Sequence, residues 1–199
     1  MIQKNLEVCQ LIRRRKEFKL SLDDYVFVSV GQLSKRKNHE VAIRALAKNP
    51  DESIKYIIVG LGELETYLKK LAIELGIENR VFFAGFRTDV AEILQMSDAV
   101  LFPSLQEGLP VALMEGMAIG LPVICSRIRG NTDLVENEKG GYVFDSNDID
   151  GFSYGIKRMA HNKNSVIMGS ENRKKMELFD IKTVEKEMID IYQEALEAK

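Results

Sequence analysis

From Tyr25 onward, short β-branched and aromatic runs alternate with longer segments of helical period. This rhythm forces repeated strand–helix units, and hence a parallel sheet with helices packed on its faces. The strand-like runs are Tyr25 to Val30, Tyr56 to Val59, Val81 to Ala84, Ala99 to Phe102, Val123 to Cys125 and Tyr142 to Phe144. Helical segments fall at Asn38 to Ala47, Glu63 to Leu75, Val90 to Gln95 and Pro110 to Ile119. Three more close the chain, at Ile149 to Ala160, Ser165 to Lys175 and Ile181 to Ala198. By analogy with other sheets of this rhythm, six strands adopt the doubly wound order 3-2-1-4-5-6, whose first and fourth strands adjoin where the winding reverses. That crevice is the expected ligand site, so the loops after strands one and four should carry the chemistry.

At 199 residues, 45% apolar and 29% charged, the chain is sized for one globular domain. Residues 1–24 read as a linker and leading helix and 25–199 as the domain proper. A net charge of -2 gives no general attraction to polyanions, which argues against nucleic acid as a partner. Of three basic clusters, Arg13 to Lys16 and Arg173 to Lys175 read as solvated helix faces. The third, Lys35 to Lys37, lies in the first of the two important loops. Cys9 and Cys125 are far apart and read as reduced thiols of a cytoplasmic protein. No apolar run is long enough to span a bilayer. Met1 to Lys19 has an amphipathic pattern, with Ile2, Leu6, Cys9 and Ile12 on one stripe, which suits packing against the domain or lying on a membrane surface.

In the first loop, "GQLSKRKNHE", Gly31 permits a tight exit and Ser34, Lys35, Arg36, Lys37 and Asn38 lead into a helix. Helix-start amides together with a lysine suit a diphosphate; a solvated basic turn is the other reading. The second loop lies in "FPSLQEGLPVALMEGMAIGLPVICS", where Gly108 allows close backbone approach and Pro110 fits the first turn of a helix. In that helix, Val111 to Ile119, Glu115 is the one charged residue in an apolar run, which predicts a buried helix. A carboxylate buried there needs an internal cation or a hydrogen-bonding ligand such as ribose hydroxyls. Glu107, at the lip of the same loop, is expected to face the space above the phosphates.

The pair of glutamates and the seven-residue gap between them, set in Glu107, Gly108, Leu109, Pro110 and Glu115, resemble the family-4 retaining glycosyltransferases. The segments "SVGQLSKRKNHEVAIRAL", "IIVGLGELETYLKKLAIELGIENRVFFAGF" and "SDAVLFPSLQEGLPVALMEGMAIGLPVICS" follow in that family's order, and the resemblance runs from about Tyr25 to Tyr192. It implies a single Rossmann-like α/β domain of about six parallel strands, the C-terminal, nucleotide-sugar-binding half of a GT-B architecture. It further implies a UDP- or GDP-type sugar donor and no metal or other cofactor. Carried over residue by residue, Lys37 matches the lysine on the donor diphosphate, Glu107 the glutamate at the sugar ring, and Glu115 the glutamate on the ribose. Gly108, Leu109 and Pro110 match the backbone cradle, Gly31 and Gly60 the glycine turns, and Phe86 with Arg87 the turn that meets the base. Where the family commonly has an arginine after the first glycine, this chain has Gln32. Lys35, Arg36, Arg127 and Arg129 are candidates to replace that charge.

The resemblance also implies an N-terminal acceptor domain, which this sequence lacks, so the chain by itself is expected to be incomplete for catalysis. Its function is then donor binding in polysaccharide or glycoconjugate synthesis, with peripheral contact at the inner face of a membrane coming through the absent half. The alternative is a non-catalytic nucleotide-binding subunit that docks a separately encoded acceptor domain. A GT-B epimerase and a flavodoxin-like regulator fit less well, the latter because no acidic cluster follows the first strand. His39 and His161 lack metal-ligand spacing and read as surface residues. The last helix carries an apolar stripe of Val184, Met188, Ile191, Tyr192 and Ala195 that needs a cover.

Overall fold

The computed structural model describes residues 12–162 and 164–197. Residues 12–17 are helical (α1), and the leading stripe's Ile2, Leu6 and Cys9 lie outside the described residues. Next come β1 (Tyr25–Val30), a 3-10 turn (Lys35–Lys37), α2 (His39–Ala47), β2 (Ile54–Val59), α3 (Glu65–Glu74), β3 (Val81–Gly85) and α4 (Val90–Gln95). The second half runs β4 (Ala99–Phe102), α5 (Val111–Ile119), β5 (Val123–Ser126), α6 (Arg129–Thr132), β6 (Gly141–Phe144), α7 (Ile149–Ala160), α8 (Ser165–Met176) and α9 (Ile181–Glu197).

The six strands form one sheet in the expected order β3-β2-β1-β4-β5-β6, and every pairing is parallel. Side chains of a strand alternate between faces, so β1 sends Phe27 to one core and Val26 and Val28 to the other. The first core packs Phe27, Ile58 and Leu101 against α2, α3 and α7 through Ile43, Leu46, Leu68 and Phe152. The second packs Val28, Ile57 and Val100 against α4 and α5 through Leu94, Leu113 and Met117. With both faces covered, the strands read as near-continuous apolar runs rather than alternating ones, as parallel sheets require.

Four expectations need correction. Arg15, assigned to a solvated face, is 6% exposed: its guanidinium donates to the carbonyls of Met96 (3.1 Å) and Asp24 (2.8 Å) and to the Asp98 carboxylate (2.9 Å). It thereby fastens α1 to the edge of the sheet opposite the site. Asn38 precedes α2 rather than opening it, because its backbone is left-handed (φ 55°). Pro110 likewise caps α5, which begins at Val111.

The fourth correction concerns α5 itself, whose all-round apolarity suggested burial. Leu113, Gly116 and Met117 are buried, while Val111, Glu115 and Ala118 form an exposed outer stripe. The stripe of α9 is likewise uncovered among the described residues, with Ile191 and Tyr192 more than half exposed. No helix among the described residues is long and apolar enough to cross a membrane.

Candidate functional site

The carboxyl ends of β1 and β4 are neighbours at the centre of the sheet (Phe27 opposite Ala99, Val28 opposite Val100), and their two loops meet there. Lys37 ends the 3-10 turn after β1 and is 9% exposed. Its Nζ lies 2.7 Å from Glu107 Oε1 and 4.8 Å above the centre of the Phe102 ring. The ammonium is thus held between an aromatic face and a carboxylate, both favourable to a cation. Gly31 clears this path, since a methyl group there would lie 2.9 Å from Lys37 Cε. Gly60 lets the β2 loop close on the β1 loop, because a methyl group on it would stand 2.0 Å from the Gly31 carbonyl oxygen.

Glu107, expected to face the space above the phosphates, is engaged by the protein's own cations. Its side chain is 8% exposed and closes on two cations, Lys37 and the Arg36 guanidinium, whose Nη1 is 3.1 Å from Oε2. Burial alone would raise its pKa. The hydrogen bonds from Lys37 and Ser104, with the charges of Lys37 and Arg36, together outweigh burial and hold it below the usual carboxylate range. Arg36 also joins the two loops: its Nη1 donates to the Gln106 carbonyl (3.1 Å) and its own carbonyl accepts from the Leu105 amide (2.8 Å).

The expected array of free amides is smaller than the sequence suggested. In the first loop the amides of Leu33, Ser34, Lys37 and Asn38 donate to Leu61, Gln32, Ser34 and Lys35 carbonyls. In the second, the Val111 amide turns back onto the Leu109 carbonyl (3.0 Å).

Other predicted residues fall into two groups. Gln32, Gly108 and Leu109 are exposed beside the Lys37–Glu107 pair in sequence, and Phe86, 74% exposed, follows the end of β3. Arg87 is committed elsewhere: it pairs with Asp89 (2.8 Å) and with Glu17 of α1, contacts that hold it protonated. Glu115 is exposed, which removes the argument that a buried carboxylate must be reserved for a ligand.

Several residues build the site through contacts that carried no sequence signal. Asn38 Nδ2 donates to the carbonyls of Pro103 (3.2 Å) and Ser146 (2.8 Å), joining the loops after β1, β4 and β6. Gly130, at the start of α6, packs on the Glu107–Gly108 backbone; a methyl there would lie 2.5 Å from the Gly108 carbonyl oxygen. Asn131 Nδ2 donates to the Ser126 carbonyl and hydroxyl (3.0 and 3.1 Å), and that hydroxyl donates to the Ser104 carbonyl. His39, expected at the surface, is 3% exposed behind Lys37. Its Nδ1 is 3.1 Å from the Tyr56 hydroxyl, which is 2.6 Å from Ser29 Oγ. Burial, and next the Lys37 charge, push its pKa down to about 4, so it is a neutral prop at neutral pH. His161 does lie at the surface, 3.2 Å from Asp51. Among the described residues, no group of three or more His, Cys, Asp or Glu side chains is placed to hold a metal.

A sequence model of the family described as "Glycosyl transferases group 1" matches residues 12–177. The chain belongs to the glycosyl transferase group 1 family. Among curated members, it is 36% identical over 168 residues to the UDP-Gal:alpha-D-GlcNAc-diphosphoundecaprenol alpha-1,3-galactosyltransferase of Escherichia coli, covering 82% of this chain and 43% of that one. It is 32% identical over 184 residues to the putative glycosyltransferase EpsD of Bacillus subtilis, with 90% and 48% covered. The group 1 chain thus spans somewhat under half the length of these relatives. Among solved structures, it superposes with TM-score 0.85 and 24% identity on Anabaena Alr3699/HepE, crystallised with UDP and glucose, covering 94% of this chain and 52% of that one. The fold is accordingly that of a GT-B glycosyltransferase domain.

Proposed function

We propose that this chain is the donor-binding domain of a retaining glycosyltransferase that moves a sugar from a nucleoside diphosphate sugar to an acceptor in polysaccharide or glycoconjugate synthesis. The observation that carries the reading is the pairing of Lys37 with Glu107 at the junction of β1 and β4, where doubly wound sheets bind ligands. A nearly buried lysine at the junction of these two loops is suited to a diphosphate whose charge grows as the glycosidic bond breaks. Glu107, once Lys37 turns to phosphate, is free to accept hydrogen bonds from sugar hydroxyls.

UDP- and UDP-glucose-bound neighbours of the same fold support a uridine donor, and relatives named for amylovoran and colanic acid biosynthesis support a polysaccharide product. Phe86 and the backbone of its turn would meet the base, and Gly31, Gln32, Gly60, Gly108, Leu109 and Pro110 would line the phosphates. Glu115 keeps its ribose role on the family pattern alone, its exposed position leaving it open to solvent until a ligand or second domain covers α5. Acceptor binding belongs to the other half of the architecture, supplied by the remainder of a longer polypeptide or by a partner chain.

Titration calorimetry of the chain against UDP, GDP and uridine tests this. Binding of one diphosphate, lost in Lys37→Ala while that variant is still folded at the assay temperature, is the expected result. Failure of both diphosphates to bind at millimolar concentration would overturn it.

A further inference from the structure

The diphosphate site has one buried cation, Lys37, and two negative phosphates to balance. Gln32 is uncharged and the first-loop amides of Leu33, Ser34, Lys37 and Asn38 are bonded within the protein, so the first loop offers no further charge from either source. Four exposed basic residues, Lys35 and Arg36 after β1 and Arg127 and Arg129 after β5, are candidates, and the structure separates them. Arg127 is committed to β6 and its exit, with Nη2 donating to the Val143 carbonyl (3.1 Å) and Nε 3.3 Å from Asp145. The Arg129 side chain is 95% exposed and reaches along its own helix toward Asp133. Lys35 opens the 3-10 turn on its exposed side. Arg36 alone of the four shares the Glu107 carboxylate with Lys37.

Resting on the donor-site reading, we propose that Arg36 is the second diphosphate cation, held in place by Glu107 in the free protein and exchanged onto phosphate when the donor binds. Glu107 carries one negative charge against two cations, so the cluster holds an excess positive charge. The Arg36 side chain is 47% exposed, against 11% for Lys37. It can therefore swing across the mouth of the site, whereas the buried Lys37 has only to turn from Glu107 to the phosphate. A guanidinium offers paired donors to phosphate oxygens, which a lysine cannot match. Glu107 then acts as a resident anion that the donor must displace.

The test is the dissociation constant of UDP for the chain and for Arg36→Gln, Arg127→Gln, Glu107→Gln and the Arg36→Gln/Glu107→Gln pair. Arg36→Gln should weaken UDP by about tenfold or more and Arg127→Gln by less than about twofold. Glu107→Gln should tighten UDP by releasing both cations, and the tightening should shrink when Arg36 is already absent. A purely structural Arg36 would move the melting temperature without this dependence on Glu107. Should Arg36→Gln fail to fold, Arg36→Lys replaces it, with an intermediate loss expected. An unchanged constant in the Arg36 variant, or an equal loss in Arg127→Gln, refutes the assignment while leaving the donor site standing. Absence of UDP and GDP binding by the unaltered chain refutes both.

Discussion

The Lys37–Glu107 pair should be legible in stability as well as in binding, and a double-mutant cycle isolates it. Both side chains are almost withdrawn from water, 11% and 8% exposed at 2.7 Å, so removing either leaves a charge with diminished compensation. Breaking such a pair from one side costs about 3–5 kcal/mol. Glu107→Gln should fall at the lower end, about 3 kcal/mol, because Lys37 keeps the Phe102 face. Lys37→Met should cost less, about 2 kcal/mol, because Arg36 stays 3.1 Å from the carboxylate. The double variant leaves no buried charge and should lose about 2 kcal/mol, not the sum, giving a coupling of about 3 kcal/mol. Urea unfolding of the four proteins at pH 7 measures each term. Costs that add to within about 0.5 kcal/mol would refute the reasoning, since independent sites behave that way.

Gly130→Ala should lower stability by about 1–3 kcal/mol and weaken nucleotide binding, because the new methyl meets the Gly108 carbonyl at 2.5 Å; thermal melting with calorimetry checks both effects. His39, held near 4 against about 6.5 when unfolded, gives stability that is present above pH 6.5 and lost as pH falls toward 4. About 2 kcal/mol should disappear between pH 7 and pH 5, and His39→Phe should flatten that part of the unfolding profile. Cys125 is buried and its thiol is pushed up to about 12; in a Cys9→Ser background it should resist a disulfide reagent at pH 8 until denaturant is added.

The sheet was legible because its period survives local noise: β1, β4 and α4 have the bounds that alternation and helical spacing predict. Errors at element ends arose where a single backbone conformation decides, as at Asn38, whose left-handed turn delays α2. Lys37 and Glu107, seventy residues apart, could be brought together in advance because the strand order sets their loops side by side. What Arg36, Asn38 and Gly130 do there depends on close contacts between loops, and composition carries no trace of such contacts. The burial expected of Glu115 failed for a different reason: apolar content was read as burial, yet Val111 and Ala118 share its exposed stripe. His39 failed in the opposite sense, since a histidine among charged neighbours gave no hint of the Tyr56 hydroxyl waiting beneath it.

The most direct test of donor binding at this junction is a map of backbone amide shifts as UDP-glucose is titrated into the isotope-labelled chain. The account predicts perturbations concentrated in residues 31–38, 85–86 and 104–116, at the carboxyl edge of β1, β3 and β4. Shifts gathered instead around the hollow lined by Tyr142, Arg158 and Asn162 would contradict it.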